Sequence, residues 1–229
     1  MTTVSLRSKP SARLKNGARL NQQTFHTLYE ASPPGFRAEL IGGVVHVPSP
    51  LKNPHGEHGF VVIHWLGDYV MHTPGVKGTE NATHILGPDS EPQPDVSLRI
   101  LSELGGNAKI DADGFLVGPP ELIVQISDST EKLDLNERKH DLEAAGVREY
   151  LVVAVRKQKV FWFVRRRGKF KELAANRDGI LRSEVFPGLW LDPTALFAMD
   201  WKRLSAVLGL GLASPEHAAF VEKMGKGRA

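Results

Sequence analysis

The chain has 229 residues, 41% of them hydrophobic, enough for one packed α/β domain, so disorder as the dominant state is excluded. Cysteine is absent, which removes disulfides, thiolate metal sites and thiol nucleophiles together, so any metal must be held by oxygen or imidazole. The net charge of +3 is unevenly placed: Arg7, Lys9, Arg13, Lys15 and Arg19 precede the first acidic residue, Glu30, and the rest of the chain carries a slight acidic excess.

That distribution gives no general argument for a polyanionic partner. The basic arm, residues 1–22, is expected to be disordered. No apolar stretch approaches the roughly 18 residues of a membrane span, and none has the form of a signal peptide. A cytoplasmic protein is therefore expected.

In chain order, residues 24–31 predict a short helix stopped by Ser32-Pro33-Pro34-Gly35. Residues 37–41 and 44–47 flank Gly42-Gly43 and predict a tight hairpin, with Glu39 in its first strand. Val61, Trp65, Leu66 and Tyr69 recur at helical spacing and predict an amphipathic helix over 54–71. Short strands are expected around 76–78, 83–86 and 96–100. Residues 122–126 form an apolar run broken only by Gln125, the pattern of a buried central strand.

Ser127-Asp128-Ser129-Thr130 supplies a turn and N-caps, and residues 133–145 predict a helix stopped by Gly146. Strands follow over 149–155 and 159–164, then a turn with apolar anchors over 186–191 and helices from Pro193 and Trp201. No repeat or linker interrupts the pattern. The expectation is one α/β domain over 23–213, followed by a tail over 214–229.

Several catalytic devices are missing: a Gly-x-x-x-x-Gly-Lys-Ser/Thr loop, a Gly-x-Ser-x-Gly elbow and a His-Glu-x-x-His pair. Gly209 and Gly211 follow a helix instead of a strand and read as a helix end. His55 and His58, three apart near a helix start with Glu57 close by, could both face a metal, but a surface or capping role is the simpler reading, and His64 falls on another face.

The informative pair is Asp95 and Gln125. Strand alternation puts Asp95, Ser97 and Arg99 together on one side of their strand and Glu121, Ile123, Gln125 and Ser127 together on one side of theirs, so two neighbouring strands would share a polar face. A buried amide needs a partner, because leaving it unsatisfied costs about 1–3 kcal/mol. In a purely structural reading, Gln125 bonds the backbone of a neighbouring strand and Asp95 caps a turn after Pro94.

Several ordered blocks carry a resemblance. Glu39 in a Gly-Gly hairpin, Pro94-Asp95-Val96, Pro120-Glu121-Leu122-Ile123-Val124-Gln125-Ile126-Ser127-Asp128-Ser129, and Ala145-Gly146-Val147-Arg148-Glu149-Tyr150-Leu151-Val152 together resemble the Uma-type putative restriction endonuclease family, of the PD-(D/E)XK nuclease superfamily. The likeness spans about residues 24–198. It implies a mixed central β-sheet flanked by helices, a restriction-endonuclease-like core, and cleavage of a DNA phosphodiester assisted by Mg²⁺ or Mn²⁺. It also implies that Asp95, Gln125 and Glu39 surround the metal and that Arg138 faces phosphate.

Three positions depart from the family's pattern. Its second acid falls on Gln125, its helix Lys on Arg138, and its Tyr one turn later on Leu142. Gln125 removes a full negative charge. Arg138 pairs with phosphate but is no proton acceptor at neutral pH. Lys139, beside it, is rotated about 100° around the helix. The changes point to weakened or lost cleavage.

Residues 156–171 hold eight basic and no acidic side chains, interleaved with Phe161, Trp162 and Phe163. They fit both a nucleic-acid track and a strand with Val160, Trp162 and Val164 in the core. Two functions follow from the whole reading. One is a metal-dependent DNA endonuclease or a crippled descendant. The other is a non-catalytic nucleic-acid-binding or scaffold protein, with a homodimer as the assembly considered.

Overall fold

The structure, a computed structural model, describes residues 13–226. Its elements are α1 (Gln22–Glu30), β1 (Glu39–Ile41), β2 (Val44–His46), α2 (Asn53–Met71), β3 (Val76–Glu80), β4 (His84–Ile85), β5 (Val96–Ile100), β6 (Lys109–Ile110), β7 (Leu116–Val117) and β8 (Leu122–Ser127). There follow α3 (Glu131–Leu135), α4 (Glu137–Ala145), β9 (Glu149–Ala154), β10 (Lys159–Arg166), β11 (Lys169–Glu172), β12 (Leu181–Arg182), β13 (Trp190–Leu191), α5 (Pro193–Phe197), α6 (Trp201–Leu212) and α7 (Pro215–Lys226).

Six strands form a mixed sheet in the order β11-β10-β9-β8-β5-β3. Its one parallel pair is β8 with β9, and α3 and α4 supply the long crossover such a pair demands. The other neighbours are antiparallel. This is the mixed sheet flanked by helices expected from the sequence.

Side-chain alternation explains the layers. Val96, Leu98 and Ile100 of β5 join Leu122, Val124 and Ile126 of β8 on one face, where α2 lays down Val61, Val62, Trp65, Leu66 and Tyr69. Trp65 Nε1 donates to Trp190 O at 2.9 Å and Tyr69 Oη to Pro187 O at 2.9 Å, so both rings are buried with their polar tips satisfied. On the opposite face Ile123, Tyr150, Val152, Phe163 and Phe170 pack against Leu142 of α4. Both central strands, β8 and β9, are buried along their whole length. A third cluster of Leu14, Phe25, Ala38, Leu40 and Val45 fastens α1 to the β1–β2 hairpin.

Three local expectations need correction. The helix expected over 133–145 is two helices, broken at Asn136 (φ −121°, ψ −89°). Asn136 Nδ2 donates to Lys132 O at 2.7 Å, taking the carbonyl that its own N–H would use in a continuous helix. Gly209 and Gly211 lie in the last turn of α6, the helix end expected of them, and Gly209 O accepts the N–H of the cap residue Ala213 at 3.0 Å. At Gly211 an added Cβ would stand 2.1 Å from Gly188 O, so glycine permits the helix to touch the 186–189 turn.

Of the arm expected over 1–22, residues 1–12 lie outside the described residues. From Arg13 the chain is anchored: Leu14 is buried, Gly17 N donates to Val45 O at 2.8 Å, and Arg19 pairs with Val44. The stretch set apart after 214 is helical over α7, with His217 and Met224 buried; residues 227–229 lie outside the described residues. Among the described residues no single helix is long and apolar enough to cross a membrane.

Candidate functional site

At the end of the sheet where β5 and β8 part, a cleft of about 880 Å³ is lined by Glu39, Asp95, Gln125 and Arg138, together with Lys52 and His55. The fold thus brings to one place all four residues singled out in the sequence.

Asp95 owes its position to unequal strand lengths. The β5–β8 ladder ends at Val96↔Val124, and Ile126 N–H has no strand partner on that side. Asp95 Oδ2 accepts it at 2.7 Å, while Oδ1 lies 3.4 Å from Nε2 of His55, on the first turn of α2. The hydrogen bond to Asp95 lifts the His55 pKa above the ordinary imidazole value despite partial burial, with further help from the charges of Asp95, Asp128 and Asp134.

Glu39 opens β1 and is held from two sides. Its Oε1 accepts from Gln93 N at 2.7 Å and from Arg138 Nη1 at 2.9 Å, and Oε2 accepts from Arg138 Nη2 at 2.7 Å. Arg138 Nε donates to Asp134 Oδ1 at 2.9 Å. Asp134 Oδ2 receives the hydroxyls of Ser127 at 2.7 Å and Thr130 at 2.5 Å. Arg138, 4% exposed, therefore commits three of its five N–H donors to two carboxylates. Burial pulls its pKa down, but the charge and hydrogen bonds of Glu39 and the charge of Asp134 outweigh this and hold it well above the ordinary arginine value. His46, opposite Glu39 in the hairpin, is pushed below the usual imidazole range by burial and by the Arg138 charge.

Gln125 stands in β8 in register with Val152, 6% exposed. Its Nε2 is buried without a hydrogen-bond partner among the described residues, so the backbone bond foreseen in the structural reading does not form there. Nor does Asp95 cap a turn after Pro94; it caps the end of β8. Lys139 points elsewhere, with Nζ 4.0 Å from the Phe163 ring centre, and Leu142 lies in the core.

Do these residues fit a hard dication? Mg²⁺ is held by one or two carboxylates with free oxygens, usually alongside retained waters. Here both oxygens of Glu39 face a guanidinium, one oxygen of Asp95 holds a backbone N–H, and Gln125 brings no charge. Among the described residues no group of three His, Asp or Glu side chains converges as a metal would need. The donor set does not fit. What the cleft offers instead is a neutral amide, an imidazole next to a carboxylate, and a lysine at the rim.

Two participants escaped the sequence reading. Asp134 had a legible signal, its i,i+4 spacing to Arg138, which on a helix joins opposite charges. His55 had none, because its approach to Asp95 depends on how α2 is laid across the sheet. In the basic stretch, Arg156, Lys157, Lys159, Arg166 and Lys169 are paired with Asp128, Glu131, Glu172, Glu184 and Glu143. Most of that apparent nucleic-acid track is thus neutralised within the chain, and Val160, Trp162 and Val164 are buried.

Sheet, crossover and polar cleft together define a nuclease-like α/β fold. The structure is similar to the crystal structure of a putative nuclease belonging to DUF820 from Anabaena variabilis ATCC 29413, with a TM-score of 0.57 and 16% sequence identity over 76% of this chain and 97% of that one. At such identity the likeness is one of fold. The model of the Uma2 family, described as putative restriction endonucleases, matches residues 22–194, and the chain belongs to that family. No curated protein matches the sequence significantly.

Proposed function

We propose that the chain is a restriction-endonuclease-like protein whose phosphodiester-cleaving centre is weakened or lost, and whose cleft still receives a DNA backbone in a cytoplasmic setting. The observation that carries this reading is the charge state of the wall beside Asp95. The position expected to hold a second acid is the neutral Gln125, and the third acid, Glu39, is gripped on both oxygens by Arg138. Neither Gln125 nor Arg138 can take a proton from water, since an amide is not basic and a guanidinium stays charged at any physiological pH.

Retention of DNA is supported by the cleft's size and by Lys52, Arg37 and His55 on its walls, which suit backbone phosphates. The paired residues of β10 and β11 favour the cleft over the 156–171 surface as the contact. The test is a pair of measurements on the wild type. Fluorescence anisotropy with duplex DNA should show binding that is equal in Mg²⁺ and in EDTA. Supercoiled plasmid should stay intact at high protein concentration in Mg²⁺ or Mn²⁺. Efficient nicking would overturn the loss of activity; no binding in either buffer would overturn the DNA partner and leave the scaffold.

A further inference from the structure

We propose that the Arg138 guanidinium is a built-in replacement for a divalent cation, and that removing its charge turns Glu39 and Asp134 into a site that binds Mn²⁺ or Ca²⁺. The inference rests on the functional reading above and goes further, because it assigns the missing cation to a covalent part of the chain.

Three observations carry it. First, Arg138 bridges two carboxylates from different elements, Glu39 of β1 and Asp134 of α3, at 2.7–2.9 Å. Second, the three side chains are 5%, 12% and 2% exposed, so both carboxylates are largely withdrawn from bulk water and rely on the guanidinium for their neutralisation. Third, the carboxylates are held in place independently of Arg138: Glu39 by Gln93 N, Asp134 by the hydroxyls of Ser127 and Thr130. Two desolvated anions, Glu39 on the cleft wall and Asp134 buried behind Arg138, form a hard-oxygen donor pair once their cation is deleted. A dication that binds folded protein and not unfolded chain then stabilises the fold by linkage.

The experiment uses the full chain, Mn²⁺ alone as probe, and two readouts: electron paramagnetic resonance titration of free Mn²⁺, and thermal unfolding in Mn²⁺ or EDTA. Arg138→Ala removes the charge outright, and Arg138→Gln removes it while keeping an amide against Glu39, which guards against a variant that does not fold. Both should melt lower than wild type in EDTA, recover in Mn²⁺, and bind Mn²⁺ at least tenfold more tightly than wild type. Wild type should melt at the same temperature in both buffers.

Arg138→Lys, which keeps a positive charge, should gain no Mn²⁺ affinity. Equal Mn²⁺ binding by wild type and the charge-deleted variants would overturn the proposal. So would a gain in Arg138→Lys, or the absence of any Mn²⁺ effect on Arg138→Ala and Arg138→Gln. Failure here is separable from failure of the functional reading, because the latter is read from plasmid nicking by the wild type.

Discussion

Gln125 and Glu149 show two ways a polar group is carried in the middle of one sheet. The amide of Gln125 has a buried, unpartnered Nε2, and an unmade hydrogen bond costs about 1–3 kcal/mol. Gln125→Met, of similar volume, should therefore raise the unfolding free energy by about 1 kcal/mol in urea denaturation. A loss of that size would mean the amide is satisfied after all. Glu149 is the opposite case: its oxygens receive Ser183 Oγ, Trp162 Nε1 and the backbone N–H groups of Glu184 and Val185.

Burial still pushes the Glu149 carboxyl up to about 6, against the pull of those donors. A folded-state pKa above the unfolded value means that the native chain binds the proton more tightly, so the contribution is greatest below pH 4.5 and is lost as pH rises through 6. The shift corresponds to about 2 kcal/mol. Denaturation profiles between pH 4.5 and 7 should show wild type losing about that much relative to Glu149→Gln. Parallel profiles would show that the carboxyl titrates alike in folded and unfolded chain.

At the level of elements, the strands and long helix were readable from local pattern: alternation in β5, an apolar run in β8 and a 3.6-residue period in α2. Where an element depends on a contact outside its own window, the reading failed. The break at Asn136 comes from one side-chain amide capturing a carbonyl, and the place of α7 is set by docking His217, Phe220 and Met224 against the core. Gly211 belongs with these. Its missing side chain matters only because Gly188 passes beside it. Gly211→Ala should force α6 away from that turn at a cost of about 1–3 kcal/mol, seen as a lower thermal midpoint. An unchanged midpoint would mean that the turn yields freely.

For the whole molecule, Asp95 and Gln125 could be paired from sequence because adjacent strands place them on a shared face. The Glu39–Arg138 grip could not, since it joins residues 99 apart and exists only when the hairpin folds over α4. Family membership accounts for the fold that carries the cleft, and Gln125 and the Glu39–Arg138 pair set the charge of its wall. The same view predicts that DNA affinity falls steeply with added salt, as phosphate neutralisation by lysine and arginine requires, with no dependence on divalent ions beyond their ionic strength.

The most direct test of that view is plasmid cleavage by the double variant Gln125→Glu, Arg138→Lys beside the wild type, in Mn²⁺ and in EDTA. Nicking is expected from the double variant in Mn²⁺ only, with the plasmid left intact by the wild type. A wild type that cuts as well as the double variant would contradict that view.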